Sequence, residues 1–297
     1  MSEYQLDQDP QLEPLLQATE QLMLECAGQP GAPRLDELIR YHLASGGARV
    51  RAKLALHAAI ALQLPPSVGV ALAAACELIH NGSLLHDDIQ DRDTERRGQE
   101  AAWSRFDVNT AMCAGTLLLS AAYTALLQGQ SSTAELIAHT HRRTADLIAG
   151  QTLDLQVPIK APSQEQYLQI AAAKSGSLLA LPLELAMISA NQHDHVHQAR
   201  LAGESFAIAY QIIDDLSDVD MDLSKGHNNI IGVLELEGVT RHEAIETATH
   251  LAQAQLKSAM QQAASLPGDS AHYLITLCQQ LAHSVCQPET QMAWQRG

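Results

Sequence analysis

The chain has 297 residues, with 18 basic against 34 acidic side chains, a net charge of −16, 46% hydrophobic residues and only 3% aromatic ones. That charge disfavours nucleic acid or anionic lipid as a general partner, so an anionic substrate needs local help from metal ions or a few placed Arg and Lys. Ala and Leu abound, β-branched runs are scarce and no linker composition interrupts the chain, which reads as all-α and as one domain over 1–297. The start, Met-Ser-Glu-Tyr-Gln-Leu-Asp, lacks the basic residues and apolar run of a signal peptide. No stretch offers the ~18 uninterrupted apolar residues of a membrane span. A cytoplasmic protein with no stable membrane anchor is the expectation. Cys26, Cys76, Cys113, Cys278 and Cys286 show no CxxC pairing, so they read as reduced thiols rather than a disulfide framework or zinc site.

Apolar periodicity predicts a first helix over 11–26 and a second over 34–44. Gly46-Gly47-Ala48-Arg49-Val50-Arg51 then opens a third over 47–63. Two glycines before a helix are ordinary punctuation, and this turn gains meaning only by facing another basic element. The fourth helix, 67–91, carries His80, which on an apolar face reads as a core histidine, and ends in Asp87-Asp88-Ile89-Gln90-Asp91. Positions i and i+4 share a helix face, so Asp87 and Asp91 project together. Like charges one turn apart oppose the helix, and a carboxylate in an apolar cleft loses solvation. A hard divalent cation resolves both conflicts, and magnesium is held by one or two carboxylates plus substrate phosphates. Arg96-Arg97-Gly98 follow within ten residues. An Arg pair is usually a solvated loop, but guanidinium groups also grip phosphate in bidentate fashion.

Further helices are predicted over 107–128, 132–156, 163–172 and 174–190. The apolar face of 107–128 is a candidate for subunit contact or for core. Lys174-Ser175-Gly176 lies at the expected start of helix 174–190, where outward N–H groups favour phosphate oxygens, although a simple cap is the alternative. Helix 194–218 ends in Asp214-Asp215-Leu216-Ser217-Asp218, repeating the spacing of the first cluster in the opposite half of the chain. Helices over 229–236, 240–264 and 270–284 complete the prediction. A single acidic triplet is often a solvated helix end; two copies after apolar runs are not explained that way.

In this order the pieces resemble the trans-isoprenyl diphosphate synthases, or polyprenyl synthetases, from about Gly46 to Leu236. The anchors are Gly46-Gly47-x-Arg49-x-Arg51, Glu77-Leu78-Ile79-His80, the block from Leu85 through Asp91 to Gly98, Gly150-Gln151-x-Leu153-Asp154-Leu155, Lys174-Ser175-Gly176, and Tyr210-Gln211 before Asp214. The resemblance implies a helical bundle around a central apolar cleft. It implies Mg2+ on Asp87, Asp91, Asp214 and Asp218, with Asp88 and Asp215 supporting that shell. Arg96, Lys174, Ser175 and Gln211 then hold an allylic diphosphate, and Arg51, His80 and Arg97 hold isopentenyl diphosphate; Gln151 and Asp154 line the cleft from a neighbouring helix. The implied reaction condenses isopentenyl diphosphate head-to-tail with a dimethylallyl, geranyl or farnesyl diphosphate, and the implied assembly is a homodimer.

The chain departs from that pattern in places. Ala48 stands where the family carries a lysine for isopentenyl diphosphate, and the segment after Asp218 is short, with Lys225 placed to supply one contact and His227 near a second. Thr116 replaces an aspartate and Ser175 a threonine. Gly82 and Ser83 lie five and four residues before Asp87, about 6–8 Å down the helix at ~1.5 Å per residue. Neither is bulky, so the expected product has twenty carbons or more, with farnesyl diphosphate as the alternative and Tyr123, Met112 or Ile79 as a deeper floor. A class I terpene cyclase is disfavoured by the second Asp-Asp-x-x-Asp. A non-catalytic prenyl-diphosphate-binding subunit is motivated by Ala48 and the short loop, and disfavoured by two intact acidic clusters.

Overall fold

The computed structural model describes residues 11–128, 133–156, 162–225 and 228–286, and they are almost wholly helical. In chain order they form α1 (Leu12–Ala27), α2 (Pro33–Leu43), α3 (Val50–Ala61), α4 (Pro66–Asp91), a hairpin of β1 (Glu95–Arg96) and β2 (Gln99–Glu100), α5 (Ala102–Arg105), α6 (Val108–Leu126) and α7 (Thr133–Asp154). Then come α8 (Gln164–Ala171), a π-helical turn (Ala172–Gly176), α9 (Ser177–Ser189), α10 (Val196–Lys225), α11 (Ile230–Leu236), α12 (Arg241–Ala264) and α13 (His272–Cys286). Local chemistry sets several boundaries. Asp107 caps α6 by accepting from the Thr110 N–H at 2.8 Å, and reciprocal capping boxes, Ser163 with Gln166 and Thr240 with Glu243, open α8 and α12.

Three expected boundaries are corrected. The third helix begins at Val50, because Gly46, Gly47 and Arg49 all take left-handed backbone (φ 78°, 112° and 52°) that no helix continues. Helices 163–172 and 174–190 are one rod, Gln164–Ser189, joined through the π turn. Lys174-Ser175-Gly176 is therefore not a helix start, and the expectation of free N–H groups there fails. The tenth helix runs on to Lys225, with non-helical backbone at Asp218 (φ −117°). The two-residue hairpin at 95–100, too short for any strand pattern, was not anticipated.

One buried cluster runs from Leu12 to Leu281. At its centre α4 packs on α3 and α6, and α10 packs on α9 and α12. The middle of α4 is rich in small residues, with Ala71, Ala73, Ala74 and Ala75 fully buried, which lets neighbouring helix backbones approach closely. Larger side chains such as Leu54, Leu72, Leu78 and Phe206 supply roughly 1.5–3 kcal/mol of transfer free energy each. Pro66–Asp91 and Gln164–Ser189 are long and apolar enough to cross a membrane, but 83% and 78% of their most apolar windows are buried, as expected of core helices.

A buried charge network ties α7 to α9 and α10. Arg143, 3% exposed, reaches Glu184 (Nε–Oε2 3.1 Å), Glu204 (2.9 Å) and Asp146 (2.8 Å). His139 lies 3.4 Å from the other Glu184 oxygen, and Arg200 holds Glu204 at 2.8 Å. The one sequence signal for it is Glu184 alone in the apolar run of α9, since a charge enclosed by Leu, Ala and Met needs a partner.

Candidate active site

The C-terminal part of α4 and the C-terminal half of α10 face each other across a cavity of about 560 Å³, and both Asp87 and Asp214 line it. Lys174, Ser175, Gln211, Arg96, Arg51 and His80 line the same cavity. Most of the residues expected to work together are thus brought together by five separate elements.

The first cluster divides its work. Asp87 accepts a 2.7 Å hydrogen bond from the Gln151 amide, which also donates to Gln90 at 3.0 Å, and lies 3.3 Å from the Lys174 ammonium. Asp91 is exposed and does not line the cavity, yet burial, and next the Asp87 charge, push its carboxyl up to about 6. Asp88 turns inward instead: it is 1% exposed and grips Arg96 through Nε at 2.8 Å and through Nη2. Even with that partner, burial raises the Asp88 carboxyl above its usual range.

Lys174 reaches the cleft because the π turn inserts an extra residue into a helix that would otherwise point it elsewhere; such bulges recur at functional sites. Gly150 explains itself here, since a Cβ at that position would meet the Lys174 backbone nitrogen at 2.5 Å. The ammonium sits between Asp154 at 2.8 Å and Asp87 at 3.3 Å. Burial works against its charge, but these two carboxylates outweigh it and hold the lysine protonated.

The second cluster repeats the division. Asp214 faces the cavity, and burial, then Asp218 and Asp222, push its carboxyl up to about 6. Asp215, 1% exposed, is a hub: Tyr167 Oη and the Ile230 N–H each donate to Oδ2 at 2.7 Å, and Gln211 donates to Oδ1 at 2.9 Å. Asn229 donates to the Asp215 carbonyl and to Asp222, both at 2.9 Å, and caps α11 through Ile231. Asp88 and Asp215 thus anchor the side chains around them, while Asp87 and Asp214 face the open space. The side chain of Lys225, and His227 entirely, lie outside the described residues.

Burial pushes Asp215 up to about 7, against the three hydrogen bonds that favour its charged form. A folded pKa above the unfolded 3.8 means that between these values the folded chain holds a proton the unfolded chain has lost. Stability therefore falls as pH rises through that window, and Asp91 and Asp214 act in the same sense. Urea unfolding at about pH 5 and about pH 7 should show greater stability at the lower pH. Asp215→Asn should flatten the slope, and an unchanged slope would rule out Asp215 as its source.

A second cavity, of about 170 Å³, adjoins the first through Arg51, His80 and Tyr210 and is lined also by Ala48, Arg49, Glu77 and Arg97. Gly47 lies directly against the Arg97 guanidinium, where a Cβ would meet Cζ at 2.6 Å, so the Gly-Gly turn does face the second basic element. Burial, then Arg51 and Arg97, hold His80 well below the usual imidazole range, leaving it neutral. Sequence reasoning missed Arg49 and Glu77 as members of this cavity.

Below the carboxylates the large cavity is walled by Ser83, Leu84, Leu119, Thr144, Leu147 and Ile148. Gly82 does not belong to this wall. It faces α6, with the Gly115 carbonyl 2.9 Å from where its Cβ would stand, because the two helices cross there. Met112 is 44% exposed, and neither Tyr123 nor Ile79 lines the cavity, so the expected floor residues are replaced by Leu119 and Leu147.

Among the described residues no three His, Cys, Asp or Glu side chains converge as a ready-made metal cluster. The donor chemistry nevertheless fits a hard cation: Asp91 and Asp214 are raised to about 6 by burial and by neighbouring carboxylates, a deficit that a divalent ion would relieve.

Comparison with known proteins agrees with this geometry. The model of the polyprenyl synthetase family matches residues 32–266. A farnesyl diphosphate synthase of Micrococcus luteus is 31% identical over 228 residues, spanning 70% of this chain and 78% of that protein. An all-trans-nonaprenyl-diphosphate synthase of Rhodobacter capsulatus is 31% identical over 188 residues, 63% of this chain and 57% of its own length. Among solved structures, a decaprenyl diphosphate synthase from Rhodobacter capsulatus shares the fold at a TM-score of 0.84 and 22% identity, covering 95% of this chain and 98% of that one.

Proposed function

Since the chain belongs to the polyprenyl synthetase family of trans-prenyltransferases, we propose that its cleft joins isopentenyl diphosphate head-to-tail to an allylic diphosphate. The observation that carries this reading is the shared cavity, in which Asp87 of α4 and Asp214 of α10 meet Lys174 above an apolar wall. Asp87, Asp91, Asp214 and Asp218 would hold magnesium, which supplies charge stabilisation to a departing diphosphate. Lys174 adds a fixed ammonium to the same end, and Arg96, anchored by Asp88, a guanidinium. Breaking the allylic C–O bond gives a carbocation and diphosphate; the isopentenyl double bond forms the new C–C bond and one proton is lost, the departing diphosphate being an adequate base. Leu84, Leu119, Leu147 and Leu178 keep water from the cation.

The finer reading is a product of twenty carbons or more. It is supported by the wall that the described residues form: Ser83 folds its hydroxyl back on the His80 carbonyl at 2.8 Å, and Tyr210, among the described residues the only Phe, Tyr or Trp lining the cavity, stands next to Gln211 and also lines the basic cavity. Purified protein incubated with magnesium, labelled isopentenyl diphosphate and each allylic primer should yield labelled long-chain products on chromatography. Unincorporated label would sink the elongation reading in favour of a cyclase or a binding subunit, and farnesyl diphosphate as main product would sink only the length. We further propose a cytoplasmic homodimer paired through α6, where Val108 and Met112 are each 44% exposed. Analytical ultracentrifugation should find a dimer, and a monomer at all concentrations would refute it.

A further inference from the structure

Three buried guanidinium nitrogens surround the smaller cavity without a hydrogen-bond partner: Arg49 Nη1, Arg51 Nε and Arg97 Nε. Buried donors are nearly always paired, so three unpaired guanidinium nitrogens at one cavity make a site with the chemistry to bind an anion. The protein's own counter-charge there is small. Glu77, 2% exposed, lies 3.7 Å from Arg49 Nη1, beyond hydrogen-bond reach, and its other oxygen already accepts the Ala52 N–H at 3.1 Å.

Arg49 has protein partners, but its closest ion pair is with an exposed carboxylate that a ligand can replace. Its left-handed backbone (φ 52°) is costly for a residue with a long side chain, and strain of this kind is kept where the surroundings impose it. The side chain is only 11% exposed, and its firm contacts are a 3.2 Å pair with Glu20, itself 54% exposed, and a 3.1 Å bond to the Leu43 carbonyl. An exposed carboxylate is a weak competitor for a guanidinium. Immediately before Arg49 stands Ala48, which also lines the cavity and offers no charge.

We propose that Arg49 is a binding residue for the acceptor diphosphate, exchanging Glu20 for a phosphate oxygen and supplying the cation that Ala48 does not. The inference rests on reading the smaller cavity as the acceptor site of the proposed reaction. Arg49 approaches the ligand beside Arg51 and Arg97, so the phosphate group is gripped by three guanidiniums rather than by a lysine and two.

Calorimetric titration with isopentenyl diphosphate alone, which leaves turnover out, tests it. Arg49→Gln should weaken binding roughly 10- to 100-fold, and Ala48→Lys in the Arg49→Gln background should recover most of the loss. Glu20→Gln should tighten binding about two- to fivefold by removing the competitor. A purely structural Arg49 predicts the opposite sign for Glu20→Gln, which would then loosen the turn and weaken binding. Wild-type affinity in a folded Arg49→Gln, or weaker binding in Glu20→Gln, overturns the assignment; if Arg49→Gln does not fold, Glu20→Gln decides alone. A wild type that elongates no primer overturns the proposed reaction but not this inference, because the same ratios measured with inorganic pyrophosphate still decide Arg49. Failure of wild type to bind either anion overturns both.

Discussion

Asp214→Ala is expected to lower turnover by roughly 10²–10³ or more while raising, not lowering, the melting temperature. The two effects have one cause. Burial, Asp218 and Asp222 push the Asp214 carboxyl up to about 6, so at neutral pH its charge is held at a cost to the folded state. Removing it relieves that cost and removes a carboxylate from the cavity where the departing diphosphate must be neutralised. Asp87→Ala should lose turnover to a similar extent, since Asp87 also holds the Gln151 amide at 2.7 Å and steadies Lys174. For both variants, raising the magnesium concentration should recover part of the activity. Full activity in either, measured by incorporation of labelled isopentenyl diphosphate, overturns the metal assignment. A lowered melting temperature in Asp214→Ala would show that the carboxylate is structural.

Glu184→Ala should have the largest effect on stability, costing about 1–3 kcal/mol, because it leaves the buried Arg143 Nε unpaired. Arg143 is 3% exposed, and its Nε faces Glu184 alone, while Glu204 and Asp146 take its other nitrogens. Solvent does not reach Arg143 to compensate. At roughly 2–4 °C per kcal/mol for a chain of this size, the melting temperature should drop by about 5 °C. Combining Glu184→Leu with Arg143→Met should cost less than the sum of the two single changes, since a buried pair replaced by apolar side chains loses its desolvation penalty as well. Thermal unfolding followed by circular dichroism measures both. Strict additivity would mean that the two residues do not act as a pair.

Both acidic clusters and nearly every helix were legible in the sequence, because the i, i+4 spacing of Asp87 with Asp91 and of Asp214 with Asp218 and the apolar periodicity are local properties. What the sequence could not give depends on neighbours. The segment Ala172-Ala173-Lys174-Ser175-Gly176 reads as the junction of two helices, the second starting at Lys174, yet contacts with α7 and α10 carry the rod straight through it. Gly82 reads as open space under the first cluster, but where α4 crosses α6 its missing side chain serves helix contact and not the cavity. Asp88 and Asp215 look equivalent to Asp87 and Asp214 in sequence. Only the packing of Arg96 against one, and of Tyr167 and Ile230 against the other, separates anchor from cleft residue. Arg143 sits in His-Arg-Arg, which reads as surface, and its burial is decided by Glu184 some forty residues away.

The π turn also sets how this chain tolerates insertion and deletion. One residue of α-helix corresponds to a rotation of ~100°. Deleting one residue within Ala172–Gly176 would let the rod close as regular α-helix, its downstream face against α10 still in register. Lys174 would swing away from Asp87 and Asp154. Such a one-codon deletion would leave a well-folded protein lacking the central cation of its cleft, whereas the same deletion elsewhere in the rod would turn the buried face of α9 out of the core.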